Sequence, residues 1–180
     1  MKRTAVFALM IPLLLSGCAR REEAGFDAFR ETLDGREVAF TAEVTSLDPQ
    51  NALTYTADAL CRDGETVVSV TAPESIAGIT LRRDGEDSIT YDGAVLVLTG
   101  EESAVSPAYA VPLLWEALSR GRCLWYGHSR EASFVALAGQ DGVTVTVWFD
   151  REHTCPRSAE IAENGRNVLA LALHRWQIKE

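Results

Sequence analysis

The sequence predicts an α+β domain that is mostly antiparallel β, a strongly curved sheet wrapped around two helices, and three observations predict it. Five dipeptides of the kind that supply positive φ in tight hairpins recur along the chain: Asp63-Gly64, Asp84-Gly85, Asp92-Gly93, Asp141-Gly142 and Asn164-Gly165. The segments between them alternate apolar and polar residues with a period of two, as half-buried strands do. Only two stretches carry the 3.6-residue period of a helix, too few to cover a flat sheet of many strands, so the sheet has to curl around them.

The first helix is placed at 22–33, where Phe26, Phe29 and Leu33 share one face and Asp34-Gly35 ends it. The first strand follows at 38–46, with Val38, Phe40, Ala42 and Val44 on the apolar side. The second, at 53–61, sets Leu53, Tyr55, Ala57, Ala59 and Cys61 against Thr54, Thr56 and Asp58. Further strands are predicted at 66–71, 79–83, 88–91 and 95–98, with a helical turn in 73–78. The second helix spans 106–120, where Val111, Leu114, Trp115 and Leu118 form an i, i+3, i+4, i+7 stripe and Gly121 is the stop. Pro112 is tolerated because it falls near the first turn. Five closing strands are placed at 122–126, 133–138, 143–149, 158–163 and 168–178.

The first eighteen residues decide the compartment. Lys2 and Arg3 lead into the apolar run from Ala5 to Leu15, too short to span a bilayer, and then into Leu15-Ser16-Gly17-Cys18. This tetrapeptide resembles the lipobox of bacterial lipoproteins. The resemblance implies cleavage after residue 17, acylation of the Cys18 thiol, and a membrane partner held through that lipid. Residues 1–17 are then a lipoprotein signal peptide, 18–25 a lipidated N-terminus and tether, and 26–180 a single domain. The chain would be held in the cell envelope, on the outer face of the cytoplasmic membrane or on an outer membrane where one exists. Two acyl signals suffice for stable anchoring without a transmembrane helix.

Composition excludes several classes. The formal charge of −9 becomes −11 once Lys2 and Arg3 leave with the leader, the wrong sign for nucleic acid or an anionic membrane surface. Cys61, Cys123 and Cys155 are an odd set for an exported chain, compatible with one disulfide and a free thiol or with three reduced thiols. His128, His153 and His174 are scattered, and His153-Thr154-Cys155 alone lacks the paired element of a zinc site. No Gly-x-Ser-x-Gly, phosphate-binding glycine loop or His-Glu-x-x-His is present, so neither an enzyme, a cofactor nor a metal is predicted.

The order of elements is similar to that of the LolA/LolB-like lipoprotein carrier superfamily. The likeness is carried by Val70 to Leu81 (VTAPESIAGITL), Ser88 to Gly93 (SITYDG) and the closing hairpin from Pro156 to Trp176. It implies an unclosed β-barrel with a helical lid over a hydrophobic cavity, and hence binding of a lipid or other apolar ligand. The residues that would line such a cavity are Phe40, Val44, Tyr55, Ala57 and Ala59 from the early strands and Val111, Leu114, Trp115 and Leu118 from the lid. The alternative is a module of the same fold with a filled core that docks or regulates another envelope protein. Ala57 and Ala59 leave room for a ligand, whereas Phe40, Tyr55 and Trp115 could close it.

Overall fold

Strand β1 (Glu37–Ser46) shows how the sheet is built: Val38, Phe40, Ala42 and Val44 all turn to one face and are buried there. The computed structural model describes residues 24–50, 52–98, 105–129, 132–139, 142–150, 152 and 154–179. The expected leader, Cys18 and most of the expected tether, and likewise Asp141 and His153, lie outside the described residues. Ala24 and Gly25, the end of the expected tether, already belong to helix α1 (24–33).

Ten further strands follow: β2 (Thr54–Arg62), β3 (Glu65–Ala72), β4 (Thr80–Arg83), β5 (Asp87–Tyr91), β6 (Ala94–Leu98), β7 (Arg122–His128), β8 (Ser133–Ala138), β9 (Val143–Phe149), β10 (Pro156–Glu163) and β11 (Arg166–Lys179). They form one antiparallel sheet of eleven strands in the order β6-β5-β4-β3-β2-β1-β11-β10-β9-β8-β7. The sheet is open, with β6 and β7 at its two edges. Each strand falls where alternation and turn chemistry place it. Asp92-Gly93 and Asn164-Gly165 have positive φ at both residues (47° and 80°, 51° and 80°), the conformation that matches the twist of a two-residue hairpin. The segment after β3 makes one helical turn, closed by the Ala77 amide on the Pro73 carbonyl at 3.0 Å.

The second helix begins later than its apolar stripe suggests. Pro107–Tyr109 form a 3₁₀ turn capped by the Ser106 hydroxyl, and the α-helix proper, α2, runs from Ala110 to Arg120. Eleven residues of helix extend about 16 Å, yet α2 touches β3 on one side and β8 on the other. Those strands are six spacings apart in the sheet, about 29 Å if it were flat. The sheet therefore curves around the helix. Ala110, Pro112, Leu113 and Ala117 are buried in addition to the predicted stripe, so α2 lies within the trough rather than on top of it.

Candidate functional site

All nine residues expected to line the concave face come together there. None of Phe40, Val44, Tyr55, Ala57, Ala59, Val111, Leu114, Trp115 and Leu118 is more than 5 % exposed, and all belong to one continuous apolar core. Leu53, read as the start of the second strand's apolar face, precedes β2 and is 40 % exposed. The alternation of β2 begins in effect at Tyr55.

Among the described residues, helix α2 is tied into the trough at three points by the side-chain bonds of Tyr55, Trp115 and Arg30. At its start the Tyr55 hydroxyl on β2 donates to the Pro107 carbonyl at 2.6 Å. Burial lifts the Tyr55 phenol above its ordinary pKa, which keeps it protonated as the donor. Midway, the Trp115 indole Nε1 donates to the Arg62 carbonyl at 3.2 Å. At the end, the guanidinium of Arg30 on α1 donates to the carbonyls of Leu118 (2.9 Å), Ala117 (3.4 Å) and Gly121 (2.7 Å). Leu118 carries one of the last carbonyls of α2, which a helix C-terminus leaves without an intrahelical donor, whereas Ala117 also accepts from the Gly121 amide at 2.9 Å, and the cation sits at the negative end of the helix dipole. Arg30 is itself steadied over the Phe26 ring at 4.7 Å.

A bulge in β11 shapes the far side of the trough. Leu169, Leu171 and Leu173 face inward, and the register against β1 then slips between Ala39 and Thr41 so that Phe40 opposes two residues. Arg175 takes a positive φ of 54° there, and Trp176 turns inward in place of residue 175. Its ring stacks on Phe40 at 4.8 Å and stands 6.1 Å from Phe29 of α1. The Trp176 indole Nε1 is buried and, among the described residues, has no acceptor. An unmet buried donor costs about 1–3 kcal/mol.

All nine side chains are buried, and Trp115 also reaches the wall of a polar cleft shared with Arg83 and Glu116. A cleft of about 700 Å³ opens at one end of the sheet between the β1–β2 connection, the start of the 3₁₀ turn and the β10–β11 hairpin. Leu47 stands at its rim, and Leu169 of the core forms part of its floor. Another of about 680 Å³ lies over β9, β10 and β11, walled by Trp148, Arg157 and Glu160.

Sequence reasoning placed these nine residues together in the apolar core and missed the ties. Arg30 sits 88 residues from the carbonyl it caps, and no local pattern encodes such a contact. The bulge did leave a trace: Leu169, Leu171 and Leu173 keep one phase, and Trp176 and Ile178 resume in the other. Cys61 is sealed in the core, where burial pushes its thiol up to about 12 despite the Thr66 hydrogen bond. Cys61 and Cys155 both carry free thiols. Among the described residues no helix is long and apolar enough to cross a membrane.

No protein-family model matches the chain, and comparison with curated proteins finds none similar to it. Solved structures do share the fold. An uncharacterized conserved protein from Thermus thermophilus is 10 % identical with a TM-score of 0.50, the match covering 88 % of this chain and 87 % of that one. A LolA superfamily protein from Nitrosomonas europaea (13 % identical, TM-score 0.46) matches over 88 % and 94 % of the two chains. The Mycobacterium tuberculosis lipoprotein LppX (16 % identical, TM-score 0.44) matches over 89 % and 95 %. At these identities the likeness is one of fold: an open antiparallel sheet closed over by helices, as the resemblance in the sequence implies.

Proposed function

We propose that this chain is a lipid-anchored protein of the cell envelope that holds an apolar ligand against the concave face of its sheet, the ligand taking the place of α2 side chains. The observation that carries the reading is how that face is covered. No strand closes it; two short helices do, fixed at a few points by side-chain bonds to backbone carbonyls. Uncovering the five large apolar side chains of α2 (Val111, Leu113, Leu114, Trp115 and Leu118) costs about 8–15 kcal/mol, at about 1.5–3 kcal/mol each. An acyl chain of about fifteen methylenes entering the same space returns about 12 kcal/mol at roughly 0.8 kcal/mol each. The exchange is close to balanced, which is the condition for loading and release. The unmet Trp176 Nε1 donor offers a polar anchor for an ester or carboxyl oxygen at the head of such a chain. Cys18, outside the described residues, would supply the membrane tether, and the open end beside Leu47 the route inward.

The test is to extract lipid from the purified protein and quantify it per chain. A stoichiometric lipid is expected, lost when Leu114→Asp or Trp115→Asp puts a charge on the covering helix. The double variant Arg30→Met/Tyr55→Phe frees both ends of α2 and should speed exchange of a fluorescent fatty acid several-fold without abolishing uptake. Clean protein with negligible uptake of apolar probes removes the reading.

One observation favours a second reading, a docking or regulatory module with a permanently filled core. Phe40, Tyr55 and Trp115 are buried in the trough and Trp176 stacks on Phe40, the contacts a permanently packed core would make. That reading expects a bare polypeptide and enrichment of a specific envelope protein over an unrelated lipoprotein in a pull-down.

A further inference from the structure

Helix α1 starts against one edge of the sheet. The Phe26 ring in its first turn stands 6.2 Å from Tyr126 of β7 and 6.0 Å from Phe149 of β9. Cys18 comes six residues before Ala24, and six residues span at most about 22 Å in any conformation. A sheet with its side chains is about 10 Å thick. With Cys18 acylated as proposed above, the membrane surface therefore lies within reach of the β7 edge and of the outer sheet face beside it.

That outer face is aromatic. Val135 of β8 and Val147 and Phe149 of β9 are buried in the core, so Phe134 and Trp148, which alternate with them, point away from it. Trp125 of β7 joins the row: its ring meets Phe134 edge-on at 5.1 Å, and Phe134 stands 6.4 Å from Trp148. Gly127 permits the arrangement, because the tip of the Phe134 ring lies 2.2 Å from where a Cβ would be. The register slip between Cys123 and Trp125 leaves Leu124 as an extra residue beside the row. Trp125 is 52 % exposed and Leu124 43 %.

Charge and chemistry separate this patch from the other exposed apolar strand. Residues 122–158 hold four arginines and four carboxylates, so the chain's net charge of −9 is carried elsewhere and an anionic surface does not repel this region. Arg157 lines the cleft beside Trp148, where a lipid phosphate can meet it. Strand β6, at the opposite edge, exposes Val95 at 65 %, but residues 82–102 around it hold two arginines and six carboxylates. Tryptophan is the side chain that settles at headgroup level, with an apolar body and a polar tip. A contact at that depth also leaves the backbone groups of the β7 edge in water, whereas the hydrocarbon would strand them unpaired.

We propose that Leu124, Trp125 and Trp148 rest among the lipid headgroups of the membrane that holds Cys18, turning the outer face of β7–β9 toward it. This orientation rests on the lipid-anchor reading above. The acyl chains already hold the protein at the surface, so the patch acts at the high effective concentration of a second linked contact and need not bind a membrane unaided. The cleft beside Leu47, at the opposite end of β9 and β10, stays clear of the lipid.

The test uses the full chain expressed from residue 1 in a Cys123→Ser/Cys155→Ser background, with Cys61 sealed in the core. An environment-sensitive dye is attached at Leu124→Cys or, at the acidic edge, at Val95→Cys. Intact mass reports acylation, and the acylated protein is reconstituted into vesicles of phosphatidylcholine and phosphatidylglycerol, with and without a headgroup-spin-labelled lipid. The reference is the same labelled chain lacking residues 1–17 and carrying Cys18→Ser, free in solution. Relative to that reference the Leu124 dye is expected to brighten several-fold on plain vesicles and to be quenched by the spin-labelled lipid, and the Val95 dye to do neither. Trp125→Glu should reduce the Leu124 response while the chain still floats with the vesicles. An acylated, floating chain whose two dyes respond alike overturns the proposal. So does a Leu124 dye already shielded in free solution, the result expected if the chain's own N-terminal segment or a second copy covers the patch. A chain without acyl mass removes the anchor reading and this proposal with it, whereas a silent Leu124 dye on an acylated chain overturns this proposal alone.

Discussion

Arg30 on α1 and Gly121 at the end of α2 are joined by a 2.7 Å hydrogen bond from guanidinium to backbone carbonyl, and through it the first helix fixes the position of the second. The same guanidinium serves Leu118 and lies over Phe26, so one side chain ties together three parts of the cover. Replacing it by methionine keeps the stem and removes the donors. Arg30→Met is expected to lower stability by about 1.5–3 kcal/mol, the range for hydrogen bonds made by a charged group. Arg30→Lys should recover only part of that, because an ammonium cannot span several carbonyls as a planar fork does. Chemical denaturation of the three proteins side by side measures this.

Two glycines without positive φ separate backbone crowding from side-chain crowding. A Cβ at Gly121 would stand 2.5 Å from the Ala117 carbonyl oxygen, and one at Gly127 would stand 2.2 Å from the tip of the Phe134 ring. The first obstacle is main chain and the second a ring on an outer strand face that can swing away. Gly121→Ala is expected to cost about 1–3 kcal/mol, as overpacking does, and Gly127→Ala distinctly less. Thermal melts rank the pair.

Trp176→Phe removes a buried N–H that has no acceptor among the described residues while retaining the stack on Phe40. The folded protein should be as stable as the parent or slightly more so, because the unmet donor disappears. If Trp176 anchors the head of a ligand, the same variant retains less of it. Lost occupancy at unchanged stability distinguishes anchoring from packing.

Alkaline pH should loosen the trough. Burial raises the thiol of Cys61 from 9.0 to about 12 and moves the Tyr55 phenol upward as well. Both are acids that the folded state holds in their neutral form, so the unfolded chain releases their protons first. Their contribution is complete below pH 9.0 and declines as pH rises toward 12. Cys61→Ala is expected to flatten the fall in denaturation midpoint above pH 9.0 relative to the parent. At pH 8 the folded protein should alkylate at Cys155 well before Cys61, read by peptide mass spectrometry.

The strands were legible because two independent signals agree on them. Period-two alternation in Val38 to Val44 or Tyr55 to Cys61 fixes a face, and Asp-Gly or Asn-Gly fixes where that face must end. That these residues meet in one core followed directly, since an inward face and an apolar helix stripe have to pack together. How deeply α2 sits was not legible. Leu113 and Ala117 fall off the predicted stripe, and only the curvature of the surrounding sheet buries them. The ties through Arg30, Tyr55 and Trp115 bridge 52 to 91 residues and have no local signature. The exposure of β6 was hidden for the opposite reason: a continuous apolar run reads as a buried strand, and its place at the edge is set by topology.

The most direct measurement is native mass spectrometry of the chain lacking residues 1–17 and carrying Cys18→Ser, purified from bacteria, followed by denaturation. A defined mass increment that vanishes on denaturation, and that diminishes in Trp176→Phe, is expected if the concave face holds an apolar ligand. A bare polypeptide mass, unchanged after incubation with fatty acids, contradicts a ligand-holding trough and leaves the filled-core module.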